Sequence, residues 1–217
     1  MRTADEIRAR LLDDLNHALT HLSMYGGEVA ARQLLSDITF VDEREHEFKS
    51  HMQVLQDRGA FLSTGVEGAF SYRMQLKPTC ALIGSVYAEV AFKMGYLQTK
   101  RILTGREFKA LKAGLRKTCR TRDMNADDVK AEFGIPSWSV KGNPFYPWVY
   151  MYLSNESEDG VIAFDFWNEF GNDPKRKREV YGKYGATPVL QNIRIRGPRF
   201  VREFTFTPLG RKIAGRK

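Results

Sequence analysis

Apolar positions recur at helical spacing in the first half of the chain and at strand spacing in the second. Leu11, Leu12, Leu15, Leu19 and Leu22 share one helical face, opened by Thr3 with Glu6 as a capping box and stopped by Gly26 and Gly27, which predicts a helix over residues 3–24. A short helix over residues 27–35 follows, then a longer one over 41–58 with Phe48, Met52 and Leu55 on its apolar side. Phe70, Tyr72 and Met74 next alternate beyond a Gly-containing loop, the pattern of a β-hairpin. Residues 79–97 are apolar on most sides, with Glu89 and Lys93 as an i, i+4 polar edge. They read as a buried helix placed between the two halves of the chain.

Residues 103–141 carry the most informative pattern. Thr104 with Glu107 forms a second capping box, and the helix it opens bears Phe108, Leu111, Leu115 and Cys119 as one apolar stripe. In the next segment Asn125 caps, Asp127 and Asp128 occupy the first turn, Val129 and Phe133 face inward, and Gly134 stops the helix. Pro136 and Ser137 can then restart the chain as another short helix, with Trp138 or Val140 docking back on the first. Downstream, Trp148–Leu153 and Val161–Trp167 flank a turn, and residues 189–196 and 200–206 alternate around Gly197 and Pro198. These predict two more hairpins, followed by a short helix capped at Thr207 and Pro208.

The segment from Met124 to Val140 resembles the helix-turn-helix superfamily, and helices followed by a hairpin, over residues 1–77 and again around residues 104–167, resemble winged-helix units. The wording Phe206-Thr207-Pro208-Leu209-Gly210-Arg211-Lys212-Ile213-Ala214 is similar to the segment after the wing in many bacterial regulators. The resemblance implies an α+β fold of helices with three β-hairpins in two winged-helix-like units, the second of which places a helix in a DNA major groove. Ser137, Ser139 and Lys141 are then the side chains placed to read bases, with Trp138 in the core. Gly142 and Pro144 depart from the family pattern by stopping that helix after about two turns. Acidic residues depart from it too. Asp42, Glu43, Glu45 and Glu47 begin the third helix of the first unit, and Glu156, Glu158 and Asp159 lie at the second wing tip, where phosphates would be repelled.

Charge sharpens the division. Of 217 residues, 42% are hydrophobic and 12% aromatic, which excludes a disordered chain. The net charge is +8, unevenly spread: residues 1–75 carry eight Lys and Arg against twelve Asp and Glu, and the remaining 142 carry 26 against 14. We therefore expect an acidic module over 1–77, suited to a protein partner or a homodimer contact, and a basic body over 78–217, suited to a polyanion. Arg106, Lys109, Lys112, Arg116, Lys117, Arg120 and Arg122 crowd the helix opened by Thr104. A second cluster is Lys175, Arg176, Lys177 and Arg178, and Arg194 and Arg196 alternate with Ile193 and Ile195 on a strand. These residues are the candidate backbone contacts to nucleic acid, DNA in the first instance.

Reaction chemistry is sparse. The sequence contains no Walker-type phosphate cradle, nucleophile elbow or His-Glu-x-x-His, and no cofactor is expected. Asp14, His17 and His21 have ligand-like spacing, but a solvated helix face explains them. Cys80 and Cys119 share no metal-ligand spacing and read as a reduced pair. The amino terminus lacks a signal-peptide core, and the longest apolar run contains Glu89 and Lys93, so the expected setting is cytoplasmic without a membrane. The resulting expectation is a non-catalytic nucleic-acid-binding regulatory or replication-type accessory protein. One alternative is a protein-binding adaptor or inhibitor acting through the acidic module. Another is a metal-dependent nuclease using Asp159, Asp165 and Glu169 with Lys175 or Lys177.

Overall fold

The computed structural model describes residues 3–73, 80–140, 148–156, 160–167 and 187–215. The protein is α+β, with helices and a five-stranded antiparallel sheet. It divides into two compact units, Met1–Gln98 with Pro198–Val201, and Thr99–Gly197 with Arg202–Lys217. The boundary expected at residue 77 thus falls at residue 98. The reason is helix α5 (Cys80–Lys93), which packs against helices of the first unit.

In the first unit α1 (Ala4–Thr20) opens with the expected Thr3–Glu6 capping box. Helix α2 runs Gly27–Val41, longer than its pattern predicted, because Ile38 extends the buried face of Ala31 and Leu35. Helix α3 is Glu45–Arg58. Leu15 and Leu19, Leu35 and Ile38, Leu55, and Val86 and Tyr87 build the core from α1, α2, α3 and α5. A Cβ at Gly84 would lie 2.8 Å from the Leu19 carbonyl oxygen, so this close approach of α5 to α1 requires glycine. Asn16 of α1 fixes the chain beyond α5: its amide donates to the Tyr96 carbonyl (3.0 Å) and its oxygen accepts from the Gln98 N–H (2.8 Å).

The hairpin expected around residues 61–74 is not formed. Helix α4 (Gly65–Gly68) leads into a π-helical turn over Ala69–Arg73, and Met74 lies outside the described residues. The cause is long-range. The Glu28 carboxylate of α2 accepts from the N–H groups of Val66 (2.6 Å) and Glu67 (3.0 Å), satisfying donors that a helix start leaves open. Phe70 is buried edge-on against Phe200 at 5.2 Å, while Tyr72 is 73% exposed, so their alternation does not mark a strand here. Without that hairpin the first unit has no wing among the described residues.

The second unit is built on strands β1 (Trp138–Val140), β2 (Trp148–Leu153), β3 (Val161–Trp167), β4 (Val189–Ile195) and β5 (Phe204–Phe206), in that spatial order. The two downstream hairpins form as their alternation predicts. Strand β2 pairs with β3 from Trp148↔Phe166 to Leu153↔Val161, and β4 with β5 from Asn192↔Phe206 to Arg194↔Phe204. Helices α6 (Gly105–Lys112), α7 (Leu115–Thr121) and α8 (Ala126–Phe133) cover one sheet face. Phe108, Leu111, Leu115, Cys119 and Val129 pack there against Tyr150, Tyr152, Phe164, Phe166, Ile193 and Ile195. Each fully buried Phe or Leu contributes about 1.5–3 kcal/mol, so this layer is a large source of the unit's stability. Helix α9 (Pro208–Ile213), capped by Thr207 as expected, packs on β4, β5 and α7.

The helix-turn-helix expectation fails at its second helix. Helix α8 forms with its Asn125–Asp128 capping box and ends at Gly134, but residues Trp138–Val140 form strand β1 instead of a second helix. Trp138-Ser139-Val140 also has period-2 alternation, and pairing with β2 (Trp138↔Met151, Val140↔Val149) buries both apolar members. The Ser137 carbonyl also accepts from Lys100 N–H at 2.8 Å, which ties this segment into the unit.

Candidate nucleic-acid interface

The cationic stretch expected as one helix is two. Helix α6 keeps its Thr104–Glu107 capping box, and the Gly105 N–H also donates to the Glu156 carboxylate at 2.8 Å. At its end Ala113 turns extended and Gly114 takes φ +74°, a left-handed conformation that favours glycine, before α7 begins. The break leaves the apolar stripe intact, since Phe108, Leu111, Leu115 and Cys119 are all buried. It changes where the cations go.

Lys112, Arg116, Lys117 and Arg120 line one open cleft of about 510 Å³, together with Gly114, Thr121 and Ile195. On α7 the positions i, i+1 and i+4 place Arg116, Lys117 and Arg120 on one side, opposite the buried Leu115 and Cys119. Lys112 reaches the same cleft from the end of α6. The Arg116 guanidinium is held: Nη1 donates to Thr205 Oγ1 at 2.8 Å and Nη2 to the Arg202 carbonyl at 3.5 Å. Arg211 of α9 braces the same helix, donating to the Phe206 carbonyl and to the Arg120 carbonyl, each at 3.2 Å. Beneath them the Cys119 thiol donates to the Thr205 carbonyl at 3.1 Å. Burial pushes its pKa up to about 12, so it is a packed donor and not a nucleophile.

Among the described residues, none of these four cations is in an ion pair with a carboxylate. The other expected contacts divide. Arg106 and Lys109 are exposed on α6, outside the cleft lining. Arg122 pairs with Glu132 at 3.0 Å. Ser137 is buried and its Oγ accepts from the Leu153 N–H at 2.9 Å, so it is spent inside the sheet. Ser139 lies in β1 opposite Tyr150 and not on a recognition helix. Arg194 is 2% exposed and paired with the buried Glu203 at 3.6 Å, which corrects its reading as a backbone contact. Arg196 is half-buried just past β4, its N–H donating to the Val161 carbonyl. Lys141, Lys175, Arg176, Lys177 and Arg178 lie outside the described residues.

Sequence reasoning missed Thr205, Arg202 and Arg211, which orient the cleft. They arrive from β5, the turn before it and α9, and no local pattern links them to α7.

The nuclease set is not assembled by the described residues. Asp159, Glu169, Lys175 and Lys177 lie outside them, and Asp165 is 3% exposed with Asn192 Nδ2 donating to it at 2.9 Å. Burial pushes the Asp165 carboxyl up to about 8, against the Asn192 hydrogen bond and the Arg194 charge. Asp14, His17 and His21 do not converge either. Asp14 pairs with Arg10 at 3.6 Å, His17 Nδ1 faces the Asp13 carbonyl at 3.0 Å, and His21 meets Thr20 Oγ1 at 2.9 Å. Among the described residues no group of three His, Cys, Asp or Glu side chains is arranged to hold a metal ion, and no helix is long and apolar enough to cross a membrane. Cys80 and Cys119 are free thiols.

Comparison of the chain with protein-family models, with curated proteins and with solved structures finds no match in any of the three.

Proposed function

We propose that the second unit binds nucleic acid, DNA in the first instance, through the α6–α7 cleft, and that the protein is a non-catalytic regulatory or replication-type accessory factor. The observation that carries this is the convergence of Lys112, Arg116, Lys117 and Arg120 on one cleft with no carboxylate partner among the described residues. Gathering like charges costs stability, and a phosphate backbone with its released counterions returns that cost. The free thiols support a reducing, cytoplasmic setting.

The test is fluorescence anisotropy against labelled DNA over a range of salt concentrations. Affinity should fall steeply as salt rises. The double substitution Arg116→Ala with Arg120→Ala should reduce the slope of log K against log salt by about two, one for each phosphate left without its arginine. An unchanged slope and affinity in a folded variant removes the cleft as the contact surface.

A second reading, a protein-binding adaptor, draws on the first unit. Met24, Val29, Phe40 and Tyr72 expose large apolar side chains there. Binding dominated by such contacts would change little with salt, which separates it from the first reading.

A further inference from the structure

We infer that the occupant of the α6–α7 cleft is the sugar-phosphate backbone of a duplex, gripped without regard to base sequence; this rests on the nucleic-acid reading above. The lining chemistry is the first argument. The seven lining residues supply four cations, one hydroxyl, one glycine and one isoleucine. Among the described residues the lining includes no carboxamide to pair with adenine, no carboxylate to accept from cytosine, and no ring on which an unpaired base could stack.

Arginine can read guanine with its bidentate fork, but Arg116 spends one N–H of each terminal nitrogen on Thr205 Oγ1 and the Arg202 carbonyl, which fixes the direction of its guanidinium on α7. Its charge is thereby held in position beside Arg120 and Lys117. The side chains that a recognition helix would have offered to bases are elsewhere, Ser137 bonded inside the sheet and Ser139 in strand β1.

Charge density then selects the form of the nucleic acid. Duplex DNA carries one phosphate per roughly 1.7 Å of axis, about twice the density of a single strand, and releases more counterions per contact. A site that stacks bases can offset this advantage for the duplex, and the described lining residues have no ring to do so. Spacing agrees: Arg116 and Arg120 are separated by about 6 Å of helix rise, close to two base steps along one strand.

The experiment uses the full chain and three labelled probes of equal length, an A·T-rich duplex, a G·C-rich duplex and a mixed-sequence single strand, each titrated at low and high salt. The two duplexes should bind within about two-fold of each other, the single strand about ten-fold more weakly, and the duplex salt slope should be the steeper. Arg116→Lys should keep the indifference to sequence, because it keeps the charge and gives up only the fork. A single strand bound as tightly as either duplex, or duplexes that differ by more than about ten-fold, overturns this inference and leaves nucleic-acid binding standing. Absence of binding to every probe at low salt overturns both.

Discussion

The two units treat charge in opposite ways. In the first, opposite charges meet at home: Arg58 and Glu89 form an ion pair with side chains 6% and 3% exposed, Arg8 holds Asp42 at 2.7 Å, and Arg44 holds Glu47 at 2.7 Å. In the second, Arg194 and Glu203 are likewise paired inside, yet four cations on α6 and α7 stay open to solvent in one cleft. Cations of the acidic unit are thus drawn into ion pairs, while the basic unit leaves a group of them aimed at solvent. Net charge over a stretch indicates a surplus; which side chains carry it depends on what each can reach.

The carboxyl groups repeat the contrast. The Arg8 guanidinium, hydrogen-bonded to Asp42, holds that carboxyl below the usual range. Burial pushes Asp165 the other way, up to about 8. The depressed group contributes stability above its unfolded pKa and loses it as pH falls. The raised group is fully compatible with the fold below its unfolded value, and stability declines as pH climbs from there towards about 8.

The largest expected effect tests whether the first unit depends on its internal pairs. Glu89→Ala removes the carboxylate facing Arg58 and should cost about 3–5 kcal/mol, read as a shift of the urea midpoint, with DNA affinity unchanged in the folded fraction. A loss below about 1 kcal/mol would break the comparison, since pairs that weak are typical of exposed surfaces.

Next in size is the pH contrast. Asp165→Asn keeps an acceptor for the Asn192 amide and removes the ionisation, so the variant should gain stability over the parent as pH rises from about 4 to about 8. The gain is at most about 1.4 kcal/mol per pH unit. Parallel stability profiles of the two proteins across that interval would show that Asp165 ionises freely in the fold.

The smallest effect concerns geometry alone. Gly114→Ala meets no atom within 4 Å but forces a left-handed backbone at φ +74°, costing about 1–2 kcal/mol. If the bend relaxes, Lys112 moves away from Arg116 and Arg120, and DNA affinity should drop several-fold with every charge retained. Undiminished affinity would mean that charge count matters and the cleft's shape does not.

Legibility from sequence followed the range of the interactions. The capping boxes at Thr3, Thr104 and Asn125, the paired strands β2 and β3, and the Thr207 cap were all readable, because each joins residues close along the chain. Near Phe70 and near Trp138 the structure departs from the local pattern for the opposite reason. A Glu28 carboxylate 38 residues away settles the first, and an open edge of β2 the second. Arg194 shows the same limit at a single side chain: alternation marked its strand correctly, but its burial follows from Glu203 across the β4–β5 turn.

By itself the sequence determined the helix starts, the strand alternation, the apolar stripe from Phe108 to Cys119 and the surplus of positive charge beside it. Those follow from backbone hydrogen bonding and side-chain periodicity, which act over a few residues. Tertiary structure alone decided that Trp138–Val140 is a strand and that the stripe bends at Gly114. It also decided which arginines are spent inside and which four cations share a cleft, because partner choice depends on groups brought together only by folding.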